Sequence, residues 1–460
     1  MTHTDTIAAI ATPCGTGGVG MIRVSGPLAP EIGKRLFRPA HRECDWQSHR
    51  LYHGDIVAAD GITVLDEALV TLMRKPHSFT GEDVLEISCH GNPLILESIL
   101  EQLTDLGCRP ARPGEFTQRA FLNGRMDLSQ AEALAALVSA QSEKALRIGL
   151  AHLKGSLGQR VDQLREVLIE AAAMLEALID FGDDVLPGDA RLPDGRLDEA
   201  IAGIENLLST YRQAKLFTAG LEVIIIGKPN VGKSSLLNAL AGKKKAIVTD
   251  IPGTTRDLIT EAVSLDGLSV RLTDTAGLRE PADAIEKEGI GLVLESIQQA
   301  DIILIMLDGS KPLTSEDMHI LEQNKNYQDR IIIAVNKSDL PRAWDAHRLT
   351  EVSTGDMDVI SISAKSGAGL DDLKKKLTGL AAPGDHAEGS AVITQLRHKL
   401  SLEKALAGVK AASYCLEAGQ SPEFTAFELR CAIDALDEIT GKIIHDDVLD
   451  KIFSTFCIGK

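Results

Sequence analysis

The octapeptide GKPNVGKS at residues 227–234 constrains the fold of this 460-residue chain more than any other stretch. It follows the apolar run EVIII and precedes SLLNALAG, which is rich in helix-forming residues. It fits the pattern G-x-x-x-x-G-K-[ST], in which glycines allow backbone N–H groups to surround phosphate oxygens at the start of a helix. A strand, a tight loop and a helix in this order predict an α/β domain that binds a phosphate-bearing ligand.

Four further motifs follow in chain order: GTTRD at 253–257, DTAG at 274–277, NKSD at 336–339 and SAK at 363–365. We expect Thr255 to close over a γ-phosphate and Mg²⁺, and Asp274 to hold the shell of that ion. The carboxylate of Asp339 can accept hydrogen bonds from the N1–H and N2–H₂ groups of guanine. Adenine would leave this carboxylate unpaired, a mismatch that buried polar sites reject. Five motifs in this order predict a GTPase domain.

The residues expected to contact the nucleotide belong to these motifs and to the loop before Thr255. Lys233 is placed for the β- and γ-phosphates, and Ser234 and Thr255 for Mg²⁺. The expected GTP-binding residues are Asn230, Val231, Gly232, Lys233, Ser234, Ser235, Thr249, Thr254, Thr255, Asp274, Thr275, Ala276, Gly277, Asn336, Lys337, Asp339, Ser363, Ala364 and Lys365.

The residue that orients the attacking water is not obvious. Leu278 follows DTAG, and an apolar side chain cannot orient water. Glu286 and Glu288 are the candidates downstream, and a solvated helix face is the alternative reading for each.

A monovalent cation is a second possible catalytic element. The side chain of Asn230 and the backbone carbonyls of Thr249, Ile251 and Thr254 could together bind one, and its charge could replace that of an arginine finger. Alternatively, Asn230 only caps the loop.

Changes in sequence pattern predict a multidomain α/β and α protein. Residues 1–120 form a mixed α/β domain with strands such as EALVTLM and DVLEISC, and residues 218–380 form the GTPase domain with a Ras-like parallel sheet. The flanking segments 121–217 and 381–460 form two halves of one interrupted helical domain. Their apolar stripes are Val161, Leu164, Leu168, Ala171, Leu175 and Leu178, and Leu429, Ala432, Leu436 and Ile439.

Composition favours a cytoplasmic protein. No apolar run is long enough to span a membrane, the N-terminus lacks a basic secretion signal, and the seven cysteines contain no CxxC pair. Cys415 and Cys431 fall in predicted helices and are expected to be core residues. A net charge of −18 requires any nucleic acid to find a local basic surface, and an aromatic content of 3% argues against a stacking platform for single strands.

The motifs GKPNVGKSS, TDIPGTTRD, DTAGLRE and NKSD occur together with SFTGEDVLE, RPGEFTQRAFLNGRMDL, DEITG and a final CIGK. With this combination the sequence closely resembles the MnmE (TrmE) family of tRNA-modification GTPases over its full length. The resemblance implies that the chain acts with an FAD-dependent partner of the MnmG/GidA type, in a heterotetramer, to add an aminomethyl-type group at C5 of the wobble uridine of certain tRNAs.

The resemblance also implies ligands and site residues. The N-terminal domain would bind 5-formyl-tetrahydrofolate or a related one-carbon tetrahydrofolate and form a homodimer. Arg23, Glu86, Arg125 and Lys460 match the folate-contacting positions, although lysine also occurs in the family at the position of Arg125. K⁺ would occupy the site at Asn230, Thr249, Ile251 and Thr254 and promote pairing of the GTPase domains. Glu286, rather than Glu288, would position water.

The C-terminal Cys-Ile-Gly-Lys segment leaves two readings open for Cys457: a nucleophile, or a small residue buried near the folate pocket. The apolar helix DDVLDKIFSTF could anchor this segment. Two alternatives remain for the whole chain: a GTP-driven conformational switch that assembles RNA particles without one-carbon chemistry, and a folate-sensing module that regulates an unrelated partner.

Overall fold

The computed structural model describes residues 5–40, 45–58, 60–181, 195–241, 259–265, 268–274, 297, 300–344, 358–379, 391–444 and 446–460. The chain divides into two compact units. The first comprises Met1–Ala135, His152–Ile204 and Leu400–Lys460, and the second comprises Ala136–Ala151 and Glu205–Lys399. None of the helices in the described ranges is long and apolar enough to cross a membrane.

The first unit contains a seven-stranded sheet in the order β3-β4-β5-β6-β2-β1-β7. Its strands are β1 (Ile7–Ile10), β2 (Gly17–Ser25), β3 (Phe37–Pro39), β4 (Leu51–Val57), β5 (Val64–Met73), β6 (Val84–Gly91) and β7 (Arg109–Pro110). Neighbouring strands are antiparallel, except that β1 and β7 are parallel. The helices of this region are α1 (Ala29–Leu36), α2 (Pro93–Asp105) and α3 (Glu115–Leu122). The predicted strands EALVTLM and DVLEISC are confirmed as parts of β5 and β6.

Six longer helices lie in the two segments, 121–217 and 381–460, that are predicted to be helical. They are α4 (Leu128–Ser139), α5 (Glu143–Leu153), α6 (Ser156–Phe181), α7 (Arg196–Ala219), α11 (Leu396–Glu417) and α12 (Pro422–Thr440), and the shorter α13 (Asp446–Ser454) lies near the C-terminus. The apolar stripe of α6 is buried from Val161 to Leu175, and Leu178 is half-buried. The predicted stripe of α12 is also buried. Helix α6 precedes the nucleotide-binding region in the sequence and α12 follows it. The two helices pack together, with Arg165 Nε 2.5 Å from Asp437 Oδ1.

One prediction about these helices is wrong. Cys415 is buried, as expected, but Cys431 is exposed. On α12 the buried side is set by Leu429, Ala432 and Leu436. Cys431 lies about 100° around the helix from Ala432, which takes it off that side.

The second unit contains a six-stranded sheet in the order β13-β12-β11-β8-β10-β9. Its elements are β8 (Leu221–Ile226), α8 (Lys233–Ala241), β9 (Ile259–Leu265), β10 (Leu268–Asp274), β11 (Ile302–Asp308), α9 (Ser315–Gln323), β12 (Ile331–Asn336), β13 (Asp358–Ser361) and α10 (Leu370–Gly379). All neighbouring strands are parallel except β9 and β10. The predicted parallel sheet is therefore confirmed, and the apolar runs in β11 and β12 are buried almost throughout. The carboxyl ends of the parallel strands meet at one edge, where the motifs lie.

Candidate nucleotide-binding site

The loop between β8 and α8 has the tight backbone that its glycines predict. Gly232 has a φ of +104°, and a Cβ at this position would lie 2.3 Å from Asn336 Nδ2. Asn230 also has a positive φ, of 62°. The ammonium group of Lys233, which is buried, donates hydrogen bonds to the carbonyls of Gly227 at 2.6 Å and Lys228 at 3.0 Å. A buried cation is thus held inside the loop, at the N-terminus of a helix, where phosphate binding is favourable.

Asn336, at the end of β12, connects two of the predicted motifs. Its side chain is buried, its Nδ2 donates to the carbonyl of Val231 at 2.7 Å, and its Oδ1 accepts from the backbone N–H of Ala364 at 2.9 Å. The loop 227–232 and the segment 363–365 are therefore fixed to each other through one side chain.

Asp339 is exposed, and its orientation is set by a neighbouring motif. The buried hydroxyl of Ser363 donates to Asp339 Oδ1 at 2.7 Å. This hydrogen bond lowers the pKa of Asp339, with smaller contributions that include Lys365 and Lys337. Near neutral pH the side chain is therefore an ionised acceptor, which is the state that recognition of the guanine N1–H and N2–H₂ edge requires.

The ion pair between Lys337 and Asp308 was not predicted from the sequence. This residue has a φ of 66°, and its Nζ lies 2.6 Å from Asp308 Oδ2 at the end of β11. Burial acts to raise the pKa of Asp308, but the hydrogen bonds from Lys337 and Ser310 outweigh it, so the net pKa is lowered. Asp308 therefore anchors the NKSD segment. The available signal was the DGS sequence directly after a continuous apolar strand.

Several predicted site residues lie outside the described residues. They are Thr249, Ile251, Thr254, Thr255, Thr275, Ala276, Gly277, Glu286 and Glu288. Asp274 ends β10 at the predicted place, and Ser234 and Ser235 are exposed in the first turn of α8.

A second cluster, in the first unit, contains part of the predicted folate-contacting set. Arg23 and Glu86 are opposite each other on β2 and β6, and Arg23 Nε donates to Glu86 Oε1 at 2.8 Å. The guanidinium carbon of Arg23 is 5.4 Å from the ring centre of Phe79 and 5.7 Å from that of Phe116, within the range of cation–π attraction.

The C-terminal segment reaches the same cluster. Arg23 Nη1 donates to the carbonyl of Gly459 at 3.3 Å, and the backbone N–H of Phe116 donates to the carbonyl of Lys460 at 3.2 Å. Gly459 has a φ of +93°, and a Cβ there would lie 2.4 Å from the carbonyl oxygen of Ile10, so only glycine fits this approach.

The anchoring helix predicted before this segment is α13, whose Phe453 is buried. Cys457 is exposed, which removes the reading of a buried residue without establishing a nucleophile. Arg125 is exposed, and its Cγ would lie 3.3 Å from a Cβ at Gly81.

A phosphate-binding loop after β8, with an asparagine and an ionised aspartate after β12 on a parallel sheet, defines a P-loop GTPase. Two family models match the chain: "MnmE helical domain" over residues 128–457 and "GTP-binding protein TrmE N-terminus" over residues 6–125. The chain belongs to the MnmE (TrmE) family.

Curated relatives match almost the whole chain. The protein from Syntrophus aciditrophicus named tRNA modification GTPase MnmE is 46% identical over 458 residues, covering 99% of each chain. Its namesake from Geobacter metallireducens is 44% identical over 462 residues, again covering 99% of each. Among solved structures, Aquifex aeolicus Era bound to GDP·AlF₄⁻ is 29% identical, covers 42% of this chain and 66% of its own, and gives a TM-score of 0.27.

Proposed function

We propose that this chain hydrolyses GTP in order to modify tRNA, adding an aminomethyl-type group at C5 of the wobble uridine together with an FAD-dependent partner of the MnmG/GidA type. The observation that supports it most is 46% identity, over 99% of both chains, to a protein named tRNA modification GTPase MnmE. The nucleotide site adds support, because Asn336 joins the loop 227–232 to the segment 363–365 and the hydroxyl of Ser363 orients the carboxylate of Asp339.

In this proposal each nucleotide-contacting residue has one task. Asp339 accepts the hydrogen bonds of the guanine edge, and Lys233 exchanges its two loop carbonyls for β- and γ-phosphate oxygens. The exposed hydroxyl of Ser234, in the first turn of α8, suits a hard cation such as Mg²⁺, with Thr255 as the second ligand. Such an ion, when bound, neutralises charge that develops on the phosphates.

The potassium part of the proposal rests on Asn230. This residue is exposed in the phosphate-binding loop, and an amide oxygen is a suitable ligand for K⁺. The carbonyls of Thr249, Ile251 and Thr254 would complete the site, and Glu286 would position water. If Glu286 has this role, Glu286→Ala should slow hydrolysis strongly and leave GDP affinity unchanged.

The folate part rests on the cluster around Arg23. Glu86 holds the guanidinium near two aromatic rings, and the C-terminal segment contacts it through the carbonyl of Gly459. The half-buried ring of Phe79 beside a fixed ion pair suits a pterin, which has a planar ring and a hydrogen-bonding edge. Lys460 and the exposed Arg125 would attract carboxylates of 5-formyl-tetrahydrofolate or a related one-carbon tetrahydrofolate.

The proposed domain roles combine these sites with the family resemblance. Residues 1–120 would bind folate and form the homodimer, residues 218–380 would be the GTPase domain, and residues 121–217 and 381–460 would be the two halves of the helical domain. We place this enzyme in the cytoplasm, in a heterotetramer with its partner.

Mass spectrometry of wobble nucleosides tests the proposal. Deletion of the gene should remove the modified uridine, the intact gene should restore it, and Lys233→Ala should fail to restore it. An unchanged nucleoside profile after deletion would refute the proposal. Normal GTP hydrolysis with an unchanged profile would favour the assembly switch instead.

A further inference from the structure

The exposed aromatic side chains are concentrated on one helical hairpin. Aromatic residues are only 3% of the chain. Among those whose side chains the structure describes, three are strongly exposed: Tyr414 on α11 at 65%, and Phe424 and Phe427 on α12 at 62% each. These three side chains are called the aromatic patch below. Isolated exposed apolar residues are ordinary, but a group of rings marks an interaction surface.

The geometry of the hairpin places the three rings at the same end of it. Ser401 Oγ donates to Glu438 Oε2 at 2.8 Å, and a Cβ at Gly408 would lie 3.0 Å from the carbonyl of Glu428, so α11 and α12 run antiparallel in close contact. Extending this register places Tyr414 level with Phe424 at the turn. Phe424 and Phe427 are three residues apart and share one face of α12.

The same face continues along α12. The exposed Cys431 lies four residues beyond Phe427, which is one further turn of the helix. The apolar strip on α12 therefore extends over about two turns, a length that suits a partner helix.

The charges around the aromatic patch are mostly acidic. Between residues 411 and 429 the charged residues are Glu417, Glu423 and Glu428. The flanking basic residues are Lys410 and Arg430, and Arg430 Nη2 is paired with Glu176 Oε1 at 2.5 Å. An acidic rim repels phosphate and attracts a basic protein surface.

We propose that the aromatic patch is the docking site of a protein partner that presents an amphipathic helix with an apolar face and a basic rim. Aromatic rings supply the central anchors of protein interfaces, and the three glutamates supply charge complementary to lysine and arginine. This inference concerns an interaction surface and holds whether or not the one-carbon chemistry proposed above is correct.

Binding of a synthetic helix to the full chain tests the proposal. The probe is a fluorescein-labelled peptide of about 18 leucines and lysines with leucine at helical spacing, long enough to form a helix on binding. A scrambled peptide of the same composition keeps the charge but removes the apolar face. Fluorescence anisotropy at physiological salt would measure both peptides.

Two substitutions separate the aromatic patch from general surface hydrophobicity. The double variant Phe424→Ser/Phe427→Ser should weaken peptide binding about tenfold or more. The control Leu94→Ser removes a side chain that is 72% exposed on α2 and should change binding less than about twofold. Tyr414→Ser provides a second variant on the other helix of the hairpin, and circular dichroism would verify that each variant is folded.

The outcomes are distinct. Selective loss of amphipathic-peptide binding in the patch variants, with tRNA affinity and sedimentation coefficient unchanged, supports the proposal. Equal binding of the two peptides, or equal binding by the wild type and the double variant, overturns it. Loss of tRNA affinity in the double variant would make the patch an RNA surface. A lower sedimentation coefficient would make it a contact between copies of this chain. Either result also overturns the proposal.

Discussion

Replacing Asn336 by alanine would disconnect the phosphate-binding loop from the segment 363–365. The side chain makes one hydrogen bond to the Val231 carbonyl at 2.7 Å and one to the Ala364 N–H at 2.9 Å. We expect the two loops to separate while the sheet persists, because the backbone of β12 remains paired with β11 and β13.

The size of the effect follows from these two bonds. Each is worth about 1 kcal/mol net, and a buried group left without a partner costs about 1–3 kcal/mol. Val231 is buried, so its carbonyl would be left without a partner at the full cost. Ala364 is half-buried, so water can hydrate its N–H group. The two lost hydrogen bonds together cost about 2–4 kcal/mol. If this cost appears in nucleotide binding, the affinity falls by about 30- to 700-fold.

Competition against a fluorescent GDP analogue would measure this loss in the full chain. Asn336→Asp should also bind weakly, because it keeps the acceptor for Ala364 but turns a carboxylate towards the Val231 carbonyl. Asn324→Ala is the matched control: Asn324 is also buried, and its Nδ2 donates to the Ile320 carbonyl at 2.8 Å, away from both loops. GDP affinity within about twofold of wild type for Asn336→Ala, or an equal loss for Asn324→Ala, would refute the reasoning.

Three further outcomes are expected. Asp339→Asn replaces an acceptor by an amide donor, so affinity should shift from GTP to xanthosine triphosphate, whose C2 carries an oxygen. Titration with both nucleotides measures this preference. An unchanged preference contradicts the role of Asp339 in guanine recognition. GTP hydrolysis should be faster in K⁺ than in Na⁺, and Asn230→Ala should abolish the difference; equal rates for the wild type would exclude the cation site. Burial acts to raise the pKa of Glu115, but Arg109 and other donors outweigh it and lower the pKa below 4.5. The stability that ionised Glu115 contributes is therefore present above about pH 4.5 and lost as pH falls through its folded-state pKa. In urea unfolding, the free energy of unfolding of Glu115→Gln should fall less steeply towards acid pH than that of the wild type.

The sheet of the second unit could be predicted from the sequence because its signal is local. Strands β8, β11 and β12 are continuous apolar runs, and β8 and β12 are each followed by a motif whose residue types have a chemical reason. The contacts of Asn336 could not be predicted in the same way. They depend on the ends of different strands meeting at one edge of the sheet, which is a property of the assembled fold.

The Arg23 cluster shows the same limit over a longer range. Arg23 is 63 residues from Glu86 and 436 residues from Gly459 in sequence. The first contact depends on the register of β2 against β6, and the second depends on the position of the chain after α13. The family resemblance grouped Arg23 and Glu86 without supplying a physical reason, and the structure supplies one in the cross-strand ion pair between them.

Helix α12 shows that residue type and spacing are separate signals. Phe424, Phe427 and Cys431 are apolar, and by type each belongs in a core. Leu429 is buried, and Phe427 precedes it by two residues, which is about 200° around a helix with 3.6 residues per turn. Apolar residues therefore occupy two opposite sides of α12, and among the residues that the structure describes, helices cover only one of these sides. A helix that is apolar on both sides is expected in the interior of a protein, so the exposed side of α12 is where a second protein should complete the packing.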